Sequence, residues 1–171
     1  MITTQTKVSS VGKYVDTNHV DTVIREYKKE RWVHNSERIG KEDSLSTWYT
    51  VEELENWLAT AKENGADGIR MYFAAYPSDF KTQPLYAGRQ TIVMVATKAK
   101  ETITGGIANK DIYVNTDEGN SILAYNMGDM CPPFCSGGGT TKPGGGGFGE
   151  DGEWGIGMTI VDRGDKGLAV L

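Results

Sequence analysis

The sequence predicts a single α+β domain, in which a small antiparallel or mixed sheet has two helices packed on one face and a glycine-rich loop is attached. Three observations indicate this class. Two segments with helical periodicity lie in the first part of the chain, two apolar strands follow them directly, and 171 residues suit one domain of ordinary size. The composition, 38% hydrophobic and 24% charged, is typical of a globular chain.

The first helix is predicted over residues 17–33. Asp16 begins a polar stretch whose side-chain oxygens can accept hydrogen bonds from the free N–H groups at a helix start. The polar residues 34–46, with Gly40 among them, are interpreted as a connection. Within the helix, apolar residues recur at helical spacing and form one stripe: Val20, Val23, Ile24 and Tyr27.

The second helix is predicted over residues 51–63. Thr50 and Glu53 have the spacing of a capping box, in which each side chain bonds the backbone N–H of the other residue. Asn64 and Gly65 supply a left-handed stop after the last turn. The apolar residues of this segment share one face: Val51, Leu54, Trp57, Leu58 and Ala61.

Two strands are predicted after the second helix. Residues 90–97 are apolar on both faces, which is typical of a central strand. Residues 77–89 contain two prolines and are interpreted as a long loop. Shorter strands over 111–115 and 121–125 are expected to extend the sheet. Residues 68–76 alternate and place four apolar side chains on one side: Ile69, Met71, Phe73 and Ala75.

The later part of the chain has a different composition, because half of the 22 glycines lie within residues 136–157. Glycine has the largest ordering cost of any residue. We interpret residues 136–153 as a glycine-rich loop inside one domain that spans residues 1–171. Apolar residues resume at 156–161 and again at 168–171, so the sequence predicts that the chain ends in a docked strand.

The charge pattern excludes some partners and favours others. The formal net charge of −5 argues against a general affinity for nucleic acid, and no apolar run approaches the ~18 residues of a membrane span. The N-terminus lacks the features of a secretory signal, which predicts a cytoplasmic location. Basic groups concentrate in residues 24–41 and acidic groups in 111–171, so one region could attract the other in a neighbouring copy. We expect a protein partner or further copies of this chain, as a homo-oligomer.

Cys131 and Cys135 are the only cysteines, and two prolines and a phenylalanine separate them. A structural zinc site normally needs four ligands, and the second half of such a site is missing here. The pattern favours two reduced cysteines that shape a turn. A disulfide or redox pair, and a metal ligand or nucleophile, stay open as alternatives.

Other candidate motifs lead to no recognisable chemistry. His19 and His34 flank the first helix without a partner pattern for a catalytic base. Residues 147–152 match the glycine spacing of a dinucleotide site, but no strand precedes them and two acidic residues would repel phosphate. The oxygen-rich residues 111–120 fail the EF-hand spacing, so a polar turn is favoured over an irregular calcium site. We predict no cofactor, no metal and no catalytic residue.

One set of side chains on the predicted hairpin suggests a recognition surface. Arginine and tyrosine are enriched where proteins bind each other. The alternative is a second sheet face that packs within the chain. The predicted binding residues are Arg70, Tyr72, Tyr76 and Tyr86.

Residues 45–97 carry a pattern that resembles an uncharacterised bacterial protein family, with a looser likeness near Cys131. The resemblance implies the helix–strand–strand order and adds no activity, cofactor or site residue. The segments that carry it are Ser46-Thr47-Trp48-Tyr49, Glu52-Glu53-Leu54-Glu55, Gly68-Ile69-Arg70-Met71-Tyr72-Phe73 and Tyr76-Pro77.

The sequence therefore predicts a non-catalytic interaction or self-assembling protein. The alternative is an enzyme or a binder of a small ligand or metal, with a non-standard site near Cys131, Cys135 and residues 111–120. That alternative requires these groups to converge on one concave pocket.

Overall fold

The computed structural model describes residues 11–117 and 119–135 in full, and residues 160–162 and 168–170 as backbone alone. Helices and antiparallel sheets both occur in this part of the chain, so the predicted α+β class is confirmed. The glycine-rich loop predicted over 136–153 lies outside the described residues. The assignment of one domain to the whole chain stays a prediction.

The first helix is longer than the sequence predicted. Helix α1 (Thr17–Tyr27) continues through a π-helical segment (Lys28–Trp32) into helix α2 (Val33–Ile39). The first part of the expected connection over 34–46 is therefore wrong, because these polar residues are the solvent-facing side of a helix. The helix ends only at Gly40, whose φ of 69° is the left-handed conformation that glycine adopts freely.

Helix α3 (Val51–Glu63) has the bounds that the sequence predicted. The Thr50 hydroxyl accepts from the Glu53 N–H at 3.0 Å, and the Glu53 carboxylate accepts from the Thr50 N–H at 3.0 Å. This capping box fixes the start of the helix. Gly65, with a φ of 78°, turns the chain away from its end.

Ten strands form four antiparallel sheets in the described part of the chain. The strands are β1 (Ser46–Trp48), β2 (Gly68–Ala75), β3 (Gln90–Glu101), β4 (Ile107–Asp111), β5 (Tyr113–Thr116), β6 (Gly119–Ile122), β7 (Ala124–Tyr125), β8 (Asp129–Cys131), β9 (Ile160–Asp162) and β10 (Leu168–Val170). In the main sheet, β3 lies between β2 on one side and β4 and β7 on the other. The remaining pairs are β1 with β8, β5 with β6, and β9 with β10.

The predicted strands over 111–115 and 121–125 are each divided in two, which corrects the sequence prediction. The breaks fall at Ile112 and Leu123, whose side chains pack against the core. The Leu123 N–H bonds the Ile112 carbonyl at 2.9 Å, while the Ile112 N–H bonds the Ala96 carbonyl at 2.9 Å. Consequently β4 and β7 extend the main sheet, whereas β5 and β6 form a separate hairpin. The strand expected near the end of the chain is present as β10, which lies beside α1.

The core lies between α3 and one face of the main sheet. Trp57 and Ala61 of α3 pack against Met94 and Ala96 of β3, and all four are buried. Because side chains alternate along a strand, Gln90 points to the same face as these two β3 residues. The partly buried apolar residues around the cluster are Tyr49, Leu54, Ala66, Ile69, Ile112, Leu123 and Tyr125.

The first helix meets the same face at the opposite end of β3. There the Tyr27 hydroxyl donates to the Gln90 side-chain oxygen at 2.6 Å. Helix α3 therefore packs on this face as predicted, and the first helix contacts the same face through this hydrogen bond. Within the described ranges, no helix has the length and apolar content that crossing a lipid bilayer requires.

Candidate functional site

Two of the four predicted binding residues form a polar network on the sheet face opposite α3. The Arg70 guanidinium donates to an Asp111 carboxylate oxygen at 2.7 Å and to the Asn109 carbonyl at 2.7 Å. The Tyr72 hydroxyl lies 3.0 Å from Arg70 and 3.2 Å from the second Asp111 oxygen. The hydrogen bond to Tyr72 is the main cause that raises the pKa of Arg70, and the charge of Asp111 makes a smaller contribution in the same direction. This network links β2 to β4 across β3, so most of the donors of Arg70 are used within the chain.

The other two predicted residues lie in an aromatic cluster near the start of β3. The Tyr76 ring stacks between Phe80, at a centroid distance of 4.5 Å, and Tyr86, at 5.6 Å, and Phe134 meets Tyr86 edge-on. Tyr86 is only 3% exposed and donates to the Gly128 carbonyl at 3.2 Å. Burial raises the pKa of Tyr86. The four predicted residues therefore form two separate groups, and their role in binding stays a prediction.

Cys131 and Cys135 form a disulfide, so the favoured expectation of two reduced cysteines is wrong and the disulfide alternative applies. The physical reason is a tight turn. The Phe134 N–H donates to the Met130 carbonyl at 2.7 Å, and this bend brings the two cysteine Cα atoms to 4.6 Å, within the range that a disulfide spans. In this state neither sulfur is a free thiol, and neither can act as a nucleophile or a thiolate ligand.

The other groups of the enzyme alternative are not brought together by the described residues. Asp111 is held by Arg70, and Ile112 packs against the core. Residues 113–116 and 119–120 belong to β5 and β6, and Glu118 lies outside the described residues. His19 and His34 lie on exposed positions of the first helix. Across the described residues, no group of three or more His, Cys, Asp or Glu side chains is placed to hold a metal ion.

Strand β2 has an open outer edge that the sequence interpretation missed. The Tyr76 N–H bonds the Arg89 carbonyl at 3.0 Å, so by alternation the even-numbered residues of β2 bond β3. The N–H and C=O groups of Ile69, Met71, Phe73 and Ala75 therefore point outward. Among the described residues, no strand pairs with this edge.

The outer edge also exposes apolar side chains. Helix α3 covers Ile69, but Met71 is 63% exposed and Phe73 is 85% exposed on the same sheet face. Natural sheets usually protect an edge with lysine, proline, a bulge or a short strand. Strand β2 has eight residues, and its single charge, on Arg70, is paired with Asp111. The absence of a second charge within residues 68–76 was the signal that could have revealed this edge from the sequence.

A groove lies beside the end of β2. Its volume is about 480 Å³, and it is lined by the end of α2 with its following turn, the end of β2, and the turn before β3. Two cations, Arg38 and Lys41, face it, and no acidic side chain lines it. Partial burial, followed by the nearby Arg89 guanidinium, lowers the pKa of Lys41. The lining residues are Arg38, Ile39, Lys41, Ala75, Tyr76, Ser78, Ala87 and Gly88.

Tyr76 is the one predicted binding residue that lines this groove. The sequence placed Arg38 and Lys41 in a basic region but gave no reason to join them to residues 75–78, because that contact depends on how α2 meets the sheet. No protein-family model, curated protein or solved structure matches this chain, so the resemblance to an uncharacterised bacterial family stays a prediction.

Proposed function

We propose that this protein is a non-catalytic interaction protein that assembles with copies of itself through the outer edge of β2. The observation that carries the proposal is an eight-residue edge without a partner among the described residues, with Met71 and Phe73 exposed beside it. Free backbone groups along an edge give affinity to an added strand, and neighbouring side chains give it specificity.

A second copy fits this edge because an antiparallel strand pair can be symmetric about a two-fold axis. An axis through Tyr72 places Met71 of one copy opposite Phe73 of the other, so each exposed apolar side chain gains an apolar neighbour. The same axis also places residues whose backbone N–H and C=O groups point outward opposite residues of the same kind, so these groups can bond each other. Arg70 does not oppose the contact, since Asp111 of its own chain balances its charge.

Strand β4 lies at the opposite edge of the main sheet and is a poorer candidate for pairing with a second copy. It has five residues, and its sequence includes Lys110 and Asp111. Charged side chains on a short edge strand are the usual protection against pairing.

Substitution of the two exposed apolar residues tests the proposal. Met71→Lys/Phe73→Lys places like charges opposite each other across the two-fold axis, and we expect a monomer where the unmodified protein forms a dimer or larger assembly. Ile103→Lys/Ile107→Lys is the matched control, because it adds the same charge at two exposed apolar positions near β4. The measurement is size-exclusion chromatography with light scattering over a concentration series.

A second variant separates backbone pairing from side-chain contact. Phe73→Pro removes an outward N–H without removing a bond to β3, and proline is tolerated on the outer side of an edge strand. We expect Phe73→Pro to remain folded by circular dichroism and to lose assembly. An unmodified protein that is monomeric at high concentration, or lysine variants that assemble normally, would refute the proposal.

The cytoplasmic location stays a prediction, and the Cys131–Cys135 disulfide is an observation that favours an oxidising compartment instead. The number of cysteines alkylated when cells are lysed in the presence of an alkylating agent, measured by mass spectrometry, decides between the two. Two alkylated cysteines per chain support the cytoplasm, and none supports the oxidising compartment.

A further inference from the structure

The groove beside the end of β2 has an unbalanced charge. Arg38 and Lys41 face it, and within the described part of the chain neither cation forms an ion pair with a carboxylate. A cation usually lowers its electrostatic energy by pairing, and two cations that converge on one groove attract an anion more strongly than either does alone. A third cation, Arg89, acts on Lys41 with the same sign, while the carboxylates of Asp43 and Glu42 act on Arg89.

The remaining lining supplies hydrogen-bond donors and apolar surface. The Ser78 hydroxyl can donate to an anion, and the N–H of Ala75 belongs to the outward-facing set of β2. Ile39 and Ala87 add apolar area, and the volume of about 480 Å³ lies within the range of small-ligand sites. Gly88 keeps one wall open, because its φ of 74° disfavours any side chain at this position.

We propose that this groove binds a small organic anion, a carboxylate or phosphate ester with a compact apolar body. Arg38 can form two parallel hydrogen bonds to such a group, while Lys41 acts as a point charge at the other side. The apolar part of the ligand lies against Ile39 and Ala87, beside the edge of the Tyr76 ring. This site does not require the proposed assembly, although the outward N–H of Ala75 belongs to both surfaces, and no cysteine lines it.

Titration with model anions tests the site. The probes are phenyl phosphate and benzoate, with benzyl alcohol as the neutral analogue of similar size and inorganic phosphate as the anion without an apolar body. Binding is followed by the backbone amide NMR shifts of Ala75, Ser78 and Gly88. We expect phenyl phosphate to bind with a Kd on the order of 1 mM or tighter, and benzyl alcohol at least about 10-fold more weakly.

Charge-removing variants connect the binding to the groove. Arg38→Gln and Lys41→Gln are each expected to raise the Kd roughly 3–30-fold, and the double variant is expected to abolish measurable binding. Lys100→Gln, an exposed cation near the far end of β3, is the matched control and is expected to leave the Kd unchanged. Thermal unfolding confirms that all variants are folded.

Each contrary outcome has a distinct meaning. Equal binding of benzyl alcohol and phenyl phosphate, unchanged affinity in both groove variants, or shifts confined to other residues would overturn the anion site. The absence of binding at about 10 mM phenyl phosphate, roughly ten times the expected Kd, would overturn the anion site as well. A protein that binds the anion while remaining monomeric would refute the proposed assembly and leave this inference standing.

Discussion

Gly128 is the position where the structure predicts the clearest steric effect of a single methyl group. A Cβ atom at this position would lie 2.5 Å from Cζ and 2.7 Å from Cε1 of the Tyr49 ring, and 2.7 Å from the Thr47 hydroxyl oxygen. Carbon atoms in contact are normally about 3.5–4.0 Å apart, so Gly128→Ala forces the ring to move by about 1 Å.

The Tyr49 ring cannot move freely, because it packs against another ring. Its centroid lies 5.7 Å from that of Tyr125, and Tyr125 stacks on Trp57 at 5.6 Å. Overpacking and the disturbance of these aromatic contacts destabilise the folded state of Gly128→Ala. The lower conformational entropy of the unfolded chain offsets part of this effect, so we expect a net decrease of about 1–4 kcal/mol in the unfolding free energy.

Urea denaturation followed by tryptophan fluorescence measures this decrease. Gly12→Ala is the control, because a Cβ there has nothing within 4 Å, and it is expected to change the unfolding free energy by less than about 1 kcal/mol. In a Tyr49→Leu background, which removes the clashing ring atoms, the cost of Gly128→Ala is expected to fall by half or more. An unchanged midpoint for Gly128→Ala, or a cost that is the same in both backgrounds, would refute the steric argument.

Three further predictions concern buried polar groups, the disulfide and pH. Asp43 is 2% exposed and accepts two backbone N–H bonds, so Asp43→Ala is expected to cost about 2–5 kcal/mol in urea denaturation and Asp43→Asn, which keeps an acceptor, clearly less. Reduction of Cys131–Cys135 is expected to lower the unfolding free energy by about 2 kcal/mol, because the closed loop is short, and a Cys131→Ser/Cys135→Ser variant should not respond to reductant. Hydrogen bonds from the backbone N–H of Thr50, then from the hydroxyl groups of Thr50 and Tyr125, lower the pKa of Glu53. The stabilising effect of the Glu53 carboxylate is therefore present above the pKa of Glu53 in the unfolded chain, and it is lost as the pH falls through the pKa of Glu53 in the folded chain. The stability difference between the unmodified protein and Glu53→Gln should therefore shrink from about pH 5 to pH 3, and a constant difference would contradict this assignment.

The elements with strong local signals were predictable from the sequence. The bounds of α3 follow from the Thr50–Glu53 capping box and the stop at Gly65. The end of the first helix was misplaced, because polar residues after position 33 were interpreted as a connection although the left-handed residue is Gly40. Strand β3 continues beyond residue 97 since β4 pairs with residues 97–101, and that support comes from outside the local sequence.

The candidate site was less predictable, because it depends on which surfaces the fold leaves uncovered. Alternation along β2 predicted one apolar face shared by Ile69, Met71 and Phe73, and the natural expectation for such a face is burial. Helix α3 covers only the end of the strand at Ile69, and the first helix meets the sheet at the opposite end, near Gln90. The two middle residues are therefore apolar by sequence and exposed in the fold. That disagreement between pattern and burial cannot be seen in the sequence alone. Val23, Val51 and Leu58 of the predicted helix stripes are exposed as well, but Met71 and Phe73 lie on a strand whose outer edge has no partner among the described residues, and the proposed partner strand rests on that combination.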